Sequence, residues 1–481
     1  MRTGTQRGTT ETRSGSGPET AGGPAGIAPA AWLTALTAVV ALTMLALGCS
    51  SRSGAGGGGN ADAGATAAAG GGAAHVYELR GGRWLTDDGS RFVDRTVWVA
   101  DSVFRLTRPA HIDSVVDLAG GYVVPPYGES HNHWLERTLV PTYVERYLLD
   151  GVFYVRDLSN SPLIRPAVDS LVNRPTSVDF IAAGPGFTGP GGHPLEVIDQ
   201  LAAIGAIAKP TTRDEQEQYV FVVRNAADIA RVWPKLMADH PDLVKVFLCY
   251  SEEYARRRDD DRYGARRGID PTLVAGIVQR AHAAGLHVSA HIETAADFHN
   301  ALLAGVDDIA HLPLYLDSAG AATFRIDPAD ARLAASRHVP VSTTINQTAQ
   351  QGPDDTTRAR RSARDVVRSN LRLLRDAGVE LLVGSDQFRH SSADEARALA
   401  ATGVFTPAAL LHMWSQTTPQ FIFPHRQIGR LADGAEASLL VLTGDPTQDF
   451  ANTERIRLRM KQGVWLTPRP TGGVFPPLPG S

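Results

Sequence analysis

From about residue 120 to residue 390, short apolar runs alternate with longer segments whose apolar residues recur every three or four positions. The short runs predict strands near Val123–Ser130, Val152–Asp157, Asp179–Gly184, Val244–Leu248, His287–Ile292, Asp307–Leu312, Pro340–Ile345 and Glu380–Asp386. Between several of them the period is helical, at Pro271–Ala284, Ala295–Ala304, Pro328–Arg337 and Ala363–Ala377. Gly285, Gly305 and Gly378 supply stops for three of these helices. Eight strands interleaved with helices predict an α/β fold, a (β/α)8 TIM barrel, over residues 128–425. A doubly wound open sheet is the alternative, but no Gly-rich phosphate-binding fingerprint follows the first strand.

The flanks have a different texture. Residues 76–127 and 426–481 show alternating apolar positions broken by Gly-Gly and Asp-Gly pairs, which predict hairpins. Their similarity predicts one small β-sandwich domain built from both chain ends.

Residues 1–75 do not read as fold. Arg2, Arg7 and Arg13 precede an apolar run, Ala30–Gly48, that stops at Cys49. A basic leader followed by an apolar segment is the layout of a secretory signal over residues 1–48. Ala46-Leu47-Gly48-Cys49 resembles a bacterial lipobox, which implies cleavage before Cys49 and lipidation of its thiol. An uncleaved anchor is the alternative, since the run is long enough to span a bilayer. Residues 49–75 are a Gly/Ala-rich tether with too little apolar surface to order. Either reading exports the chain and tethers it to a membrane on the periplasmic or cell-surface side, the first of them as a lipoprotein.

The chain of 481 residues, 43 % hydrophobic, can bury a large core. A net charge of -4 gives no reason to expect nucleic acid. The two cysteines, Cys49 and Cys249, sit in unlike contexts, so no disulfide framework is expected. Nothing in the sequence decides whether the chain forms a homo-oligomer.

Candidate chemistry begins at Pro125-Pro126-Tyr127-Gly128-Glu129-Ser130-His131-Asn132-His133. Residues i and i+2 of a strand share a face, so His131 and His133 can offer two nitrogens to one metal ion. Alone such a pair is weak, because spaced histidines on polar strand faces are common. The fourth run carries Lys245, the fifth ends in His291, the sixth in His311 and the eighth in Asp386. Active sites of such barrels lie at the C-terminal strand ends. Polar residues arriving at that end from five strands are hard to explain as caps or snorkelling cations. Four His, one Asp and a strand-borne Lys can hold two divalent metals about 3.5–4 Å apart. Burial would lower the pKa of Lys245, and the neutral amine can take up carbon dioxide to give a bridging carbamate.

The pattern resembles the amidohydrolase superfamily of metal-dependent hydrolases, from about His75 to the C-terminus. The resemblance implies that His131 and His133, Lys245 as carbamate, His291, His311 and Asp386 are the metal ligands. Ala281–His291 and Ala304–His311 are similar to the family's helix-Gly-strand-His modules, and Gly429–Leu442 with Gly444-Asp445-Pro446 to its return into the β-domain. Lys245, together with Gly191-Gly192-His193-Pro194, resembles the prolidase and imidazolonepropionase-like branch. One departure stands out: the family's Pro-Gly-Leu-Ile-Asp approach is here Pro-Pro-Tyr-Gly-Glu.

This reading implies hydrolysis of an amide or related C–N bond by a metal-bridging hydroxide, with Asp386 as proton acceptor and donor. A dipeptide, an N-acyl amino acid and a cyclic amide all fit as small-molecule substrates. Zinc is the first choice of metal, with Mn, Fe or Co open. His193 is a candidate to bind a substrate carbonyl or carboxylate, or is an ordinary loop histidine. Arg156 could clamp a carboxylate, or pair with Asp157 or another neighbour. Tyr250 and Tyr315 could line the pocket or pack in the core. Cys249 is expected to pack rather than react. The mixed-charge run Glu252–Asp261 is a solvated loop, part of a lid. A mononuclear deaminase is the competing enzyme class, and a tethered binding lipoprotein without catalysis a more distant one.

Overall fold

The computed structural model describes residues 75–313, 320–346 and 358–467, all within the unit Gly59–Phe475. The signal, Cys49, the tether through residue 74 and Tyr315 lie outside the described residues. No helix among the described residues is long and apolar enough to cross a membrane.

The apolar runs of the middle form parallel strands: β1 (Tyr127–Asn132), β2 (Val152–Asp157), β3 (Asp179–Ala182), β4 (Leu243–Phe247), β5 (His287–His291), β6 (Asp308–Ile309), β7 (Val341–Ser342) and β8 (Leu381–Leu382). β1, β2 and β3 pair in one sheet, and β4 to β8 pair in order in another. Two short strands that the sequence reading missed, Gly186–Thr188 and Val220–Val222, extend the second sheet beyond β4. Both seams carry backbone hydrogen bonds. Asp242 N donates to Ala182 O at 2.9 Å between β3 and β4, and Ser130 N to Val383 O at 3.0 Å between β8 and β1. The result is a TIM-barrel-like arrangement of parallel strands. β1, β2 and β4 are buried at every position, as parallel strands covered on both faces must be.

Two corrections concern the strands. The run Val123–Ser130 is not one strand, because Pro125 and Pro126 lack the N–H groups that would continue a ladder. Tyr122–Val124 joins the flanking sheet, and the chain re-enters as β1 at Tyr127. The late strands are also shorter than the apolar runs: β6, β7 and β8 have two residues each, since their polar ends leave the ladder.

The helices follow their caps. Ala295–Ala304 opens on a Thr294 capping box and ends at Gly305, φ 82°. Pro271–Ala283 and Pro328–Ser336 start from the Asp270 and Asp327 caps with Pro at the first turn.

The flanks do build one element from both chain ends. Val464–Leu466, Ile456–Lys461, Leu439–Leu442, Tyr122–Val124, Tyr77–Leu85, Phe92–Ala100 and Val103–Arg105 pair in that order, with Ser114–Asp117 beside Tyr77–Leu85. They form one eight-stranded sheet where a two-sheet sandwich was expected. The reason is Tyr122–Val124, which is bonded on one side to Tyr77–Leu85 and on the other to Leu439–Leu442.

Candidate metal centre

β1 carries His131 to the C-terminal strand end, and His133 follows one residue past it. Their Nε2 atoms stand 3.2 Å apart. Asp386, beyond β8, brings Oδ1 to 3.3 Å from His131 Nε2 and 3.2 Å from His133 Nε2. The Ala310 carbonyl lies 2.6 Å from His131 Nδ1. A carbonyl only accepts, so the proton belongs on Nδ1 and the Nε2 lone pair faces the centre. Burial, ahead of the neighbouring charges, holds His131 well below the ordinary histidine range. For Asp386 burial pushes upward, but His131, His133 and His311 outweigh it and keep the carboxylate ionised.

His291 and His311 form a second group. His311 Nε2 and His291 Nδ1 are 2.7 Å apart, and the His311 ring stacks 5.9 Å from that of His131. Lys245 is 1 % exposed, and among the described residues its Nζ has no hydrogen-bond partner. Burial lowers its pKa to about 7, although Asp386 and Asp308 pull the other way. A divalent cation fits this set on two observations. Ligand atoms of His131, His133 and Asp386 converge within 4.8 Å of one another. Lys245 Nζ is a buried polar atom with no hydrogen-bond partner among the described residues.

The shell beneath is built from the unusual β1 approach. Glu129, fully buried, accepts from Ser385 N and Ser385 Oγ, each at 2.7 Å, and from His131 N at 3.2 Å. Asn132 Nδ2 donates to Ser385 Oγ and to the His390 carbonyl, both at 2.9 Å. Asn132 therefore braces β1 against the chain after β8 rather than facing a substrate. Gly384 has no alternative: a Cβ there would lie 2.8 Å from His131 N and 2.7 Å from Ser130 Oγ. Asp386 itself sits at φ 48°, held by its N–H to His131 O at 2.7 Å.

The other candidates separate. His193 stacks on His291 with ring centroids 4.3 Å apart and bonds Glu196 through Nδ1. Burial opposes its protonation, but the Glu196 carboxylate outweighs it and raises the pKa. Arg156 takes the second of its two readings, the pair with a neighbour rather than a substrate clamp, because Asp308 occupies it bidentately at 3.0 and 2.6 Å inside the barrel. Its partner is Asp308 rather than Asp157, since β2 points that side chain across the interior. Tyr250 is buried under the Arg257 guanidinium, 3.8 Å from its ring centroid, the packing role weighed for it above. Sequence reasoning passed over Glu129, Asp308 and Glu293. An Asp three residues before His311 in an apolar run was the available signal for Asp308.

The amidohydrolase family model matches residues 263–466, which include His291, His311 and Asp386. No curated protein sequence matches the chain. Similar solved structures include a prolidase complexed with N-methylphosphonate-L-proline, 18 % identical with a TM-score of 0.62, covering 82 % of this chain and 99 % of that one. Another is the ochratoxinase of A. niger, 14 % identical with a TM-score of 0.63, covering 82 % and 96 %. A third is a putative prolidase from Bifidobacterium longum, 20 % identical with a TM-score of 0.60, covering 82 % and 95 %. At such identities the structures speak to the fold, which is TIM-barrel-like. The family match covers residues 263–466, less than half of the chain, and likens that part to the amidohydrolases, a family of metal-binding enzymes that act on small molecules. It supports a hydrolytic enzyme acting on carbon–nitrogen bonds.

Proposed function

We propose a binuclear metal-dependent hydrolase that cleaves the amide bond of a small carboxylated substrate, a dipeptide or N-acyl amino acid. The carrying observation is Lys245, a buried and unpartnered amine on the same barrel as His131–His133–Asp386 and His291–His311. Those six residues would hold the metals, with Lys245 as a carbamate; zinc remains the first choice. Bound there, the cations would supply Lewis acidity and a water acidified toward neutrality. Asp386, ionised and next to both β1 histidines, accepts the proton of the attacking water and returns it to the leaving nitrogen. The carbonyl of Ala310 keeps His131 in the tautomer that presents Nε2.

His193 supplies specificity in this reading. Paired with Glu196, whose carboxylate raises its pKa, and stacked on His291, it presents an imidazole beside the centre suited to a substrate carboxylate. Two of the similar structures are a prolidase complexed with N-methylphosphonate-L-proline and a Xaa-Pro dipeptidase with bound methionine, which supports a carboxylated amide here. We also propose that the chain is exported and lipid-anchored at Cys49.

The test is a panel of dipeptides and N-acyl amino acids with the metal-loaded enzyme and Asp386→Asn. Turnover of a panel member should fall by about 10²–10⁴-fold in the variant while most of the metal stays bound. Full activity in Asp386→Asn removes the proton-transfer role, and an unreactive panel removes the substrate class.

A further inference from the structure

The centre has a second face. His291 turns Nδ1 to His311, and its other nitrogen, Nε2, points away to Glu293, 3.3 Å from Oε1. That Nε2 is buried and has no hydrogen-bond partner among the described residues. Cys249 Sγ, beyond the end of β4, completes a group: the thiol, a His291 ring nitrogen and a Glu293 carboxylate oxygen lie within 4.8 Å of one another. The His291 ring cannot swing away. His193 stacks on it at 4.3 Å, and Phe247 and His311 hold its edges at 5.6 and 4.3 Å. Cys249 is free of any disulfide and buried, and the Glu293 side chain is 25 % exposed, which leaves a route from solvent.

The geometry points to a further cation site formed by Cys249 Sγ, His291 Nε2 and Glu293, selective for thiophilic divalent ions and inhibitory when filled. Sulfur, imidazole and carboxylate together are a zinc or cadmium donor set, and manganese or magnesium would gain little from the thiolate. Binding exchanges the thiol proton, released to solvent, for the metal–sulfur bond. The inhibitory part rests on the reading of His291 as a ligand of the hydrolytic centre. A neutral imidazole has one lone pair, so filling the outer site through Nε2 places the His291 proton on Nδ1 and, without moving the ring, removes that nitrogen as a ligand of the inner site. Excess zinc should therefore inhibit while excess manganese does not.

Cadmium titration of the full chain carrying Cys49→Ser tests the site, because Cys249 is then the sole thiol. The expected result is a saturable ultraviolet cadmium–thiolate band of one equivalent, absent in Cys249→Ser. Glu293→Gln should weaken it about tenfold, and this second variant answers the question if Cys249→Ser does not fold. Absence of the band, or a band of unchanged affinity in Glu293→Gln, overturns the site and leaves Glu293 as an orienting acceptor for His291. The band requires no turnover, so its outcome is independent of whether the amide substrates prove right. In activity assays, zinc inhibition should disappear in Cys249→Ser; inhibition persisting there overturns the regulatory part.

Discussion

At the scale of single residues the centre depends on which nitrogen faces which partner. The Ala310 carbonyl sets His131, the His311 contact takes one side of His291, and the Glu196 carboxylate raises the pKa of His193. If His193 receives a substrate carboxylate, His193→Asn should raise KM for a carboxylated substrate at least tenfold with a smaller change in kcat. Steady-state kinetics against that substrate and its amide-capped analogue check this, since the analogue should show little difference between the two enzymes. The six proposed ligands were legible in the sequence because five are polar residues at or just past strand ends and Lys245 interrupts an apolar strand. Arg156 was not, because a lone cation on a strand gives no sign of its partner; the structure shows it spent on Asp308 inside the barrel. Asn132 lies between the two histidines, and strand alternation turns it away from them to Ser385 and His390.

Elements were read best where a cap punctuates a period. Ala295–Ala304 was legible to the residue from its helical period and its Gly305 stop. The excursion between β3 and β4 was not, because its strands Gly186–Thr188 and Val220–Val222 are too short to show a period. That excursion is tied to the helix Ala226–Ala238 by Glu217, which meets Arg231 and Lys235 each at 2.6 Å. Burial raises the Glu217 pKa, but the two cations outweigh it and bring the carboxyl down to about 2. A carboxylate depressed in the folded state stabilises above its unfolded pKa, near 4.5, and the gain is lost as pH falls from there toward 2. The cations are half exposed, so Glu217→Gln should cost only about 1 kcal/mol at pH 7. Its difference from the native chain should shrink below pH 4.5 in denaturant melts; a constant difference across that range would contradict the linkage.

Over the whole molecule the two-ended sheet is part of the barrel's support rather than an appendage. Lys461, fully buried, reaches from that sheet to Asp179 Oδ1 at 2.6 Å and to the Arg174 carbonyl at 2.8 Å. Arg426 meets the other Asp179 oxygen at 2.8 Å. Removing the shared carboxylate leaves a buried cation unpaired, so Asp179→Ala should destabilise by about 3–5 kcal/mol. Adding Lys461→Met should restore part of this in urea melts, and an additive loss in the double variant would refute the pairing. That the flanks belong together was visible from their shared strand texture. Their union into one sheet was not, because it turns on Tyr122–Val124, and Val123 and Val124 were also read as the start of the barrel strand Val123–Ser130.

Metal content tests the central claim most directly. The purified full chain, loaded with zinc in the presence of bicarbonate, should hold two equivalents in the hydrolytic centre, counted in a Cys249→Ser background. Lys245→Ala in that background should lose at least one of them. A single equivalent unaffected by Lys245→Ala, or none at all, would contradict a lysine-bridged binuclear centre.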